Sequence, residues 1–207
     1  IHKRKYKKLI SELVKKDCYF LDIGFGFGYL KPLVESHGAN YFGIDPRRDG
    51  AVEYAKKNYG EQGFVQGYFP EANTLTKKEL NNGVIISLTT IDEVVDQNIF
   101  LKEINNLCSE NTKVYIAVRN SDWFFFRKKM LKTIDGYEIN DFGLKDYQKK
   151  FRENGFDILR IEKSSRPLLT SFSFNGFKTL IIVLLDKILP TERSYMLGFL
   201  LKKNIND

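Results

Sequence analysis

The segment Phe20-Leu21-Asp22-Ile23-Gly24-Phe25-Gly26-Phe27-Gly28-Tyr29-Leu30 sets an acidic residue and three alternating glycines between two apolar stretches. Glycine lets a backbone turn without a Cβ clash and lets a ligand approach the main chain. A helix that follows such a loop adds free N–H groups and a positive dipole end. At the switch point of a doubly wound sheet this arrangement suits a nucleotide-like ligand. A second acidic residue, Asp45, ends the apolar run Tyr41-Phe42-Gly43-Ile44. A carboxylate there accepts hydrogen bonds from ribose hydroxyls. The alternative is that Asp45-Pro46 only opens a turn and caps a helix.

The glycine spacing separates cofactor classes. A dinucleotide fingerprint needs G-x-G-x-x-G. Counting from Gly24, its last glycine is replaced by Tyr29, so a nicotinamide-linked oxidoreductase is the weakest choice. No Lys-Ser/Thr pair follows the loop, which disfavours a nucleoside triphosphatase.

The elements that must hold this loop follow from short apolar runs alternating with amphipathic stretches, an α/β pattern. Strands are expected at 19–23, 40–45, 63–66, 83–88, 113–119, 156–163 and 195–202. Helices are expected at 5–15, 29–36, 49–58, 96–108 and 144–154, the last closed by Asn154-Gly155. Residues 1–207 read as a single domain. Two stretches, 120–143 and 164–194, fall outside the alternation and read as lid or acceptor-binding insertions; the second carries an apolar helix over 175–189.

Few residues offer acid–base chemistry. His2 lies in a basic tail and His37 precedes Gly38, neither a natural place for a base. Asp92 and Glu93 follow the fourth strand, where ligands of an α/β sheet bind, and are the catalytic candidates. The competing reading has them capping the helix that starts near Asp96. Arg119, Trp123 and Arg127 are the acceptor-binding candidates: arginine forks suit phosphate or carboxylate, and aromatic rings supply an apolar wall. A solvated basic helix face is the bland alternative. The same stretch, with 175–189, also fits peripheral contact with an anionic membrane and a lipid-linked acceptor.

The net charge of +7 favours anionic partners without choosing among them. Composition is globular, with 43% hydrophobic and 29% charged residues, which excludes a disordered or collagen-like chain. No apolar run approaches the ~20 residues of a membrane span. Cys18 and Cys108 match neither a disulfide framework nor a metal site, and no metal is expected. The first eight residues lack the apolar segment of a signal peptide, so the expectation is a cytoplasmic protein, with any membrane contact at the inner face.

The run D-x-G-x-G-x-G at Asp22 to Gly28 resembles motif I of the class I S-adenosylmethionine-dependent methyltransferases. Asp45 matches that family's ribose-binding acid. Gly83 to Val95 looks like its fourth strand and loop, with Glu93 at the acid of an acid-His-Val triplet and Val94 where the His often stands. Residues 144–156 and 195–203 look like its later helix, "GF" passage and terminal antiparallel strand. The small-molecule branch, including ubiquinone-pathway and glycan-biosynthesis enzymes, is the nearest likeness. The resemblance implies a Rossmann-like, doubly wound, mainly parallel seven-stranded sheet with a terminal antiparallel strand and helical lid insertions. It implies S-adenosylmethionine as cofactor, lined by Asp22, Gly24, Phe25, Gly26, Gly28, Tyr29, Asp45, Pro46, Tyr68, Phe69, Leu88 and Thr89. Tyr68 departs from the family, which has an adenine-binding acid there; adenine is then expected to stack on Tyr68 or Phe69, or to bind backbone groups. The acceptor is expected to be a small anionic metabolite or a glycan- or lipid-linked intermediate, as in polysaccharide biosynthesis. A nucleic-acid methyltransferase is the alternative, disfavoured because Ser87 to Thr90 lacks the N/D-P-P-Y/F tetrapeptide. A non-catalytic binding module on the same fold is the third reading. Oligomeric state is left open.

Overall fold

Branched and aromatic residues in short runs, bounded by Gly and Asn, form the strands of the computed structural model; amphipathic stretches between them form helices. The structure describes residues 2–122, 133–134, 137–138, 142–163, 190–191, 194 and 196–205. The order is α1 (His2–Leu13), β1 (Tyr19–Ile23), α2 (Lys31–Glu35), β2 (Asn40–Asp45), α3 (Ala51–Tyr59), β3 (Phe64–Gln66), β4 (Val84–Leu88), α4 (Gln97–Leu107), β5 (Lys113–Arg119), β6 (Thr133–Ile134), β7 (Tyr137–Glu138), α5 (Leu144–Glu153), β8 (Phe156–Lys163) and β9 (Met196–Lys203).

Seven strands form one sheet in the order β3-β2-β1-β4-β5-β9-β8. The first five are mutually parallel, and β9 runs antiparallel to both β5 and β8. Alternate side chains of each strand feed two cores. Phe20, Ile86 and Ala117 pack with Leu9, Ile10 and Leu13 of α1, Val34 of α2 and Val52 of α3. Leu21, Ile85 and Ile116 pack with Phe100, Leu101 and Ile104 of α4 and with Tyr147 and Phe151 of α5. Both faces are covered, which is why β4 is apolar at every position but Ser87. The chain crosses from β3 to β4 past β1, so the carboxyl end of β1 is the switch point.

Three expectations shift. Helix α2 is only five residues, because Gly28 and Tyr29 remain in the turn and Pro32 sits in the first helical turn. Asp96 itself caps α4, its Oδ1 accepting from the N–H of Asn98 at 2.8 Å and of Ile99 at 3.0 Å. Asp92 and Glu93 therefore do not cap that helix. Strands β6 and β7 pair as a small hairpin inside 120–143, where no strand is expected; Asp135-Gly136 between them is the turn signal. The apolar helix expected at 175–189 lies outside the described residues. Among those described, no helix is long and apolar enough to cross a membrane.

Both insertions spring from the carboxyl edge of the parallel strands. Arg119 pairs with Met196 and Lys163 with Leu197, so residues 120, 163 and 196 share one edge. The Ser121 N–H donates to the Phe142 carbonyl at 3.0 Å, and the Asn120 amide donates to the Ser194 carbonyl at 2.8 Å.

Candidate active site

At the end of β1 the chain turns through Gly24 and Gly26, whose φ values of 80° and 59° favour glycine. The Gly24 N–H donates to the Ile44 carbonyl at 2.8 Å, which ties the loop to β2. A Cβ on Gly24 would collide with the Thr90 side chain, whose hydroxyl donates to the Ile23 carbonyl at 2.9 Å. The loops after β1 and β4 are thus in contact.

Asp45, 3% exposed, receives the Gly26 N–H on Oδ2 at 2.7 Å and the Arg47 N–H on Oδ1 at 2.9 Å. One carboxylate therefore joins the glycine loop to the start of the β2–α3 connection. The Arg47 side chain returns to the same carboxylate, with Nε 3.5 Å from Oδ1 and the guanidinium carbon 5.2 Å from the centre of the Phe27 ring.

Asp22 is also buried and accepts the Tyr41 hydroxyl at 2.8 Å. Burial raises its carboxyl to about 7, against the lowering effect of that hydrogen bond. Asp22 is therefore held by the fold next to the turn, while Asp45 anchors the loop directly.

The third part lies at the ends of β4 and β5. Thr89 follows Leu88 with φ 66°, a left-handed conformation costly for a β-branched residue, while its N–H donates to the Ala117 carbonyl at 2.8 Å. Asp92 accepts the Tyr147 hydroxyl on Oδ1 at 2.7 Å and the Arg119 N–H on Oδ2 at 3.0 Å. It is 3% exposed, and burial raises its carboxyl to about 6. Glu93 is exposed, and its Oε1 lies 3.1 Å from Nη2 of Arg119. Asp92, Glu93 and Arg119 thus meet in one corner.

The remaining expected residues separate. Phe25 turns into the core, its ring tilted against Phe64 at 4.9 Å between ring centres, and serves the loop through its backbone. Phe69 packs edge-on to Phe100 at 5.6 Å, while Tyr68 is 69% exposed just beyond β3. Tyr29 is half exposed in a ring cluster with Phe27, Tyr54 and Tyr59. Pro46 sits between Asp45 and Arg47 at the end of β2. Trp123 and Arg127 lie outside the described residues. His37 binds the Leu33 carbonyl of its own turn, the local role expected. Among the described residues no cluster of potential metal ligands occurs. Arg47, Thr90 and Tyr147 belong to the candidate site and were not expected there; Arg47 carried a signal in its position two residues after Asp45.

These features fit an adenosyl cofactor. Gly26 carries no Cβ on a surface that only the Arg47 side chain approaches, at 3.2 Å from a Cβ position, and Asp45 places a buried carboxylate beside it. A curated relative, a ubiquinone biosynthesis O-methyltransferase of Pelagibacter ubique, is 28% identical over 115 residues; the match covers 56% of this chain and 48% of that protein. The chain thus spans about half the length of the curated relative it matches. Among solved structures, an S-adenosylmethionine-dependent methyltransferase from Mesorhizobium loti superposes with TM-score 0.71 at 12% identity, covering 98% of each chain. A chain from the complex of the Haloferax volcanii Trm112 methyltransferase activator with a methyltransferase gives TM-score 0.70 at 17% identity, covering 98% of this chain and 90% of that one. The family model described as a methyltransferase domain matches residues 1–161, from α1 into β8. That match spans well over half of the sequence, so the chain belongs to the methyltransferase-domain family, whose fold implies S-adenosylmethionine as cofactor.

Proposed function

We propose that the protein transfers a methyl group from S-adenosylmethionine to a hydroxyl of a small anionic acceptor, free or carried on a glycan or lipid. The observation that carries this reading is the corner where Glu93 pairs with Arg119 at 3.1 Å, at the carboxyl edge of β4 and β5 and joined to the glycine loop through Thr90. A guanidinium already matched to a carboxylate is suited to take an acceptor's carboxylate or phosphate in its place. The +7 net charge and the likeness to an O-methyltransferase support the same acceptor class.

When bound, the cofactor supplies an electrophilic methyl on a sulfonium that is its own leaving group. The chain's work is then mainly positioning. Gly24, Gly26 and Asp45 hold the adenosyl part, with Tyr68 as the exposed ring available to the base. Arg119 orients the acceptor. Glu93, once released from Arg119, is the exposed carboxylate at this corner able to accept the acceptor's hydroxyl proton. Asp92, buried and bonded through both oxygens, fastens the corner. The aromatic-basic run 123–129 and the apolar run 175–189 are the sequence basis for a lipid-linked acceptor.

The test is calorimetric titration with S-adenosylhomocysteine, with NAD as control, followed by an acceptor screen of phenolic carboxylates, phosphorylated sugars and nucleotide-linked sugars. The expected result is binding of the first ligand alone, turnover of anionic acceptors, and a KM at least about tenfold higher in Arg119→Gln, the loss of one charged contact. Turnover confined to RNA or DNA with steep salt dependence would replace this reading with the nucleic-acid one. Binding without turnover across the panel would favour a non-catalytic module.

A further inference from the structure

Arg47 lies beside Asp45 and Gly26, the carboxylate and glycine that the adenosyl reading assigns to the ribose. Its Nε is 3.5 Å from Asp45 Oδ1, and its Nη2 stands 3.2 Å from the position a Cβ on Gly26 would take. The guanidinium therefore fills the space that glycine leaves open. Nε and Nη2 are buried and donate no hydrogen bond, so they are poorly satisfied there. On its other side, Nη1 faces a second carboxylate, Asp49 Oδ2, at 3.7 Å. Asp49 is exposed and outside the cradle. The backbone of Arg47 is pinned, its carbonyl accepting from the Gln66 amide at 2.6 Å, so only the side chain is free to swing.

We propose that Arg47 competes with the cofactor ribose for Asp45 and yields by passing to Asp49, which makes the Asp45–Arg47–Asp49 row a determinant of cofactor affinity. This rests on the adenosyl reading of the glycine loop. The guanidinium faces Asp45 at ion-pair distance and occupies the space beside Gly26, so ribose hydroxyls donating to that carboxylate would have to displace it. The exchange costs one partly exposed ion pair, a small quantity, and the Asp49 contact offsets part of it. The two carboxylates act in opposite senses. Asp45 receives the ribose; Asp49 draws the competitor away.

The experiment is titration calorimetry of S-adenosylhomocysteine with wild type, Arg47→Ala, Arg47→Met, Asp49→Asn and the double variant Arg47→Ala/Asp49→Asn, each checked for folding by thermal melting. Arg47→Ala and Arg47→Met should bind about two- to fivefold more tightly, the scale of a weak ion pair. Asp49→Asn should bind about twofold more weakly, because Arg47 then has only Asp45, while the amide oxygen of the new side chain still accepts the Ala51 N–H at the start of α3. That loss should vanish in the double variant. Equal or weaker binding by both Arg47 variants overturns the proposal. So does an Asp49→Asn loss that persists without Arg47, since it would report loop structure only. Absence of binding by wild type and every variant overturns the cofactor reading itself, and this proposal with it.

Discussion

The Tyr147 hydroxyl donates to Asp92 Oδ1 at 2.7 Å across 55 positions of sequence, fastening α5 to the loop that follows β4. Burial and the adjacent carboxylate hold the phenol well above its ordinary value, so it stays a donor at working pH. The same carboxylate receives the Arg119 N–H, and so sets where that guanidinium starts. Tyr147→Phe should cost about 1–3 kcal/mol, the penalty for a buried group left short of a partner. Glu93→Gln should leave stability within ~0.5 kcal/mol, because its ion pair is half exposed, yet lower kcat for hydroxyl acceptors. Urea unfolding of both variants decides; an unchanged midpoint in Tyr147→Phe would remove the fastening role.

Gly26→Val should abolish binding of S-adenosylhomocysteine, by at least about a hundredfold in Kd. A branched side chain is strained at φ 59° and would meet Arg47 at 3.2 Å from its Cβ. Retained micromolar affinity in a folded Gly26→Val protein would remove the loop from the cofactor site.

The pH dependence of stability has a definite sign. Asp22 titrates at about 7 in the folded protein, raised by burial from an ordinary 3.8. Between those values the unfolded chain has lost a proton that the native state keeps. Stability therefore falls as pH rises from about 4 to about 7, with a ceiling near ~4 kcal/mol for a shift of this size. Asp92, raised to about 6, adds the same sign over a narrower window. Asp22→Asn should flatten the curve, and its amide oxygen can still accept the Tyr41 hydroxyl. Identical slopes for the two proteins between pH 4.5 and 7.5 would show that Asp22 ionises normally.

Thr89→Gly should raise stability by up to ~1 kcal/mol, since relief of the left-handed strain slightly exceeds glycine's entropic cost. Its methyl-transfer rate should fall, because a loosened turn no longer fixes the β4 edge. A melting temperature below wild type would mean the Thr89 side chain is worth more than the strain.

The sheet was legible because its strands are continuous apolar runs with clear stops. The expected spans 40–45, 113–119 and 156–163 coincide with β2, β5 and β8. The glycine loop was legible because its spacing is a backbone requirement written directly into residue types. What escaped depends on distant pairing. Nothing near Asp92 announces Tyr147, and Asp92 reads as a catalytic candidate or a helix cap until the fold buries it. Phe69 reads as a ring for the adenine and Phe25 as part of the cofactor lining, since a glycine-rich or turn context does not reveal which way a ring points. The positive φ of Thr89 carries no residue-type signal at all, threonine being a poor choice for it.

Each detour from the carboxyl edge is closed at its base. Ser121 meets Phe142 across the first, and Asn120 meets Ser194 at the end of the second. Among the described residues these bonds hold the ends of the detours beside the sheet edge. Such closure at the base would let acceptor recognition and cofactor capture act as separable parts of one chain. A detour grafted from another methyltransferase between residues 122 and 142 should change what is methylated while leaving S-adenosylhomocysteine affinity intact.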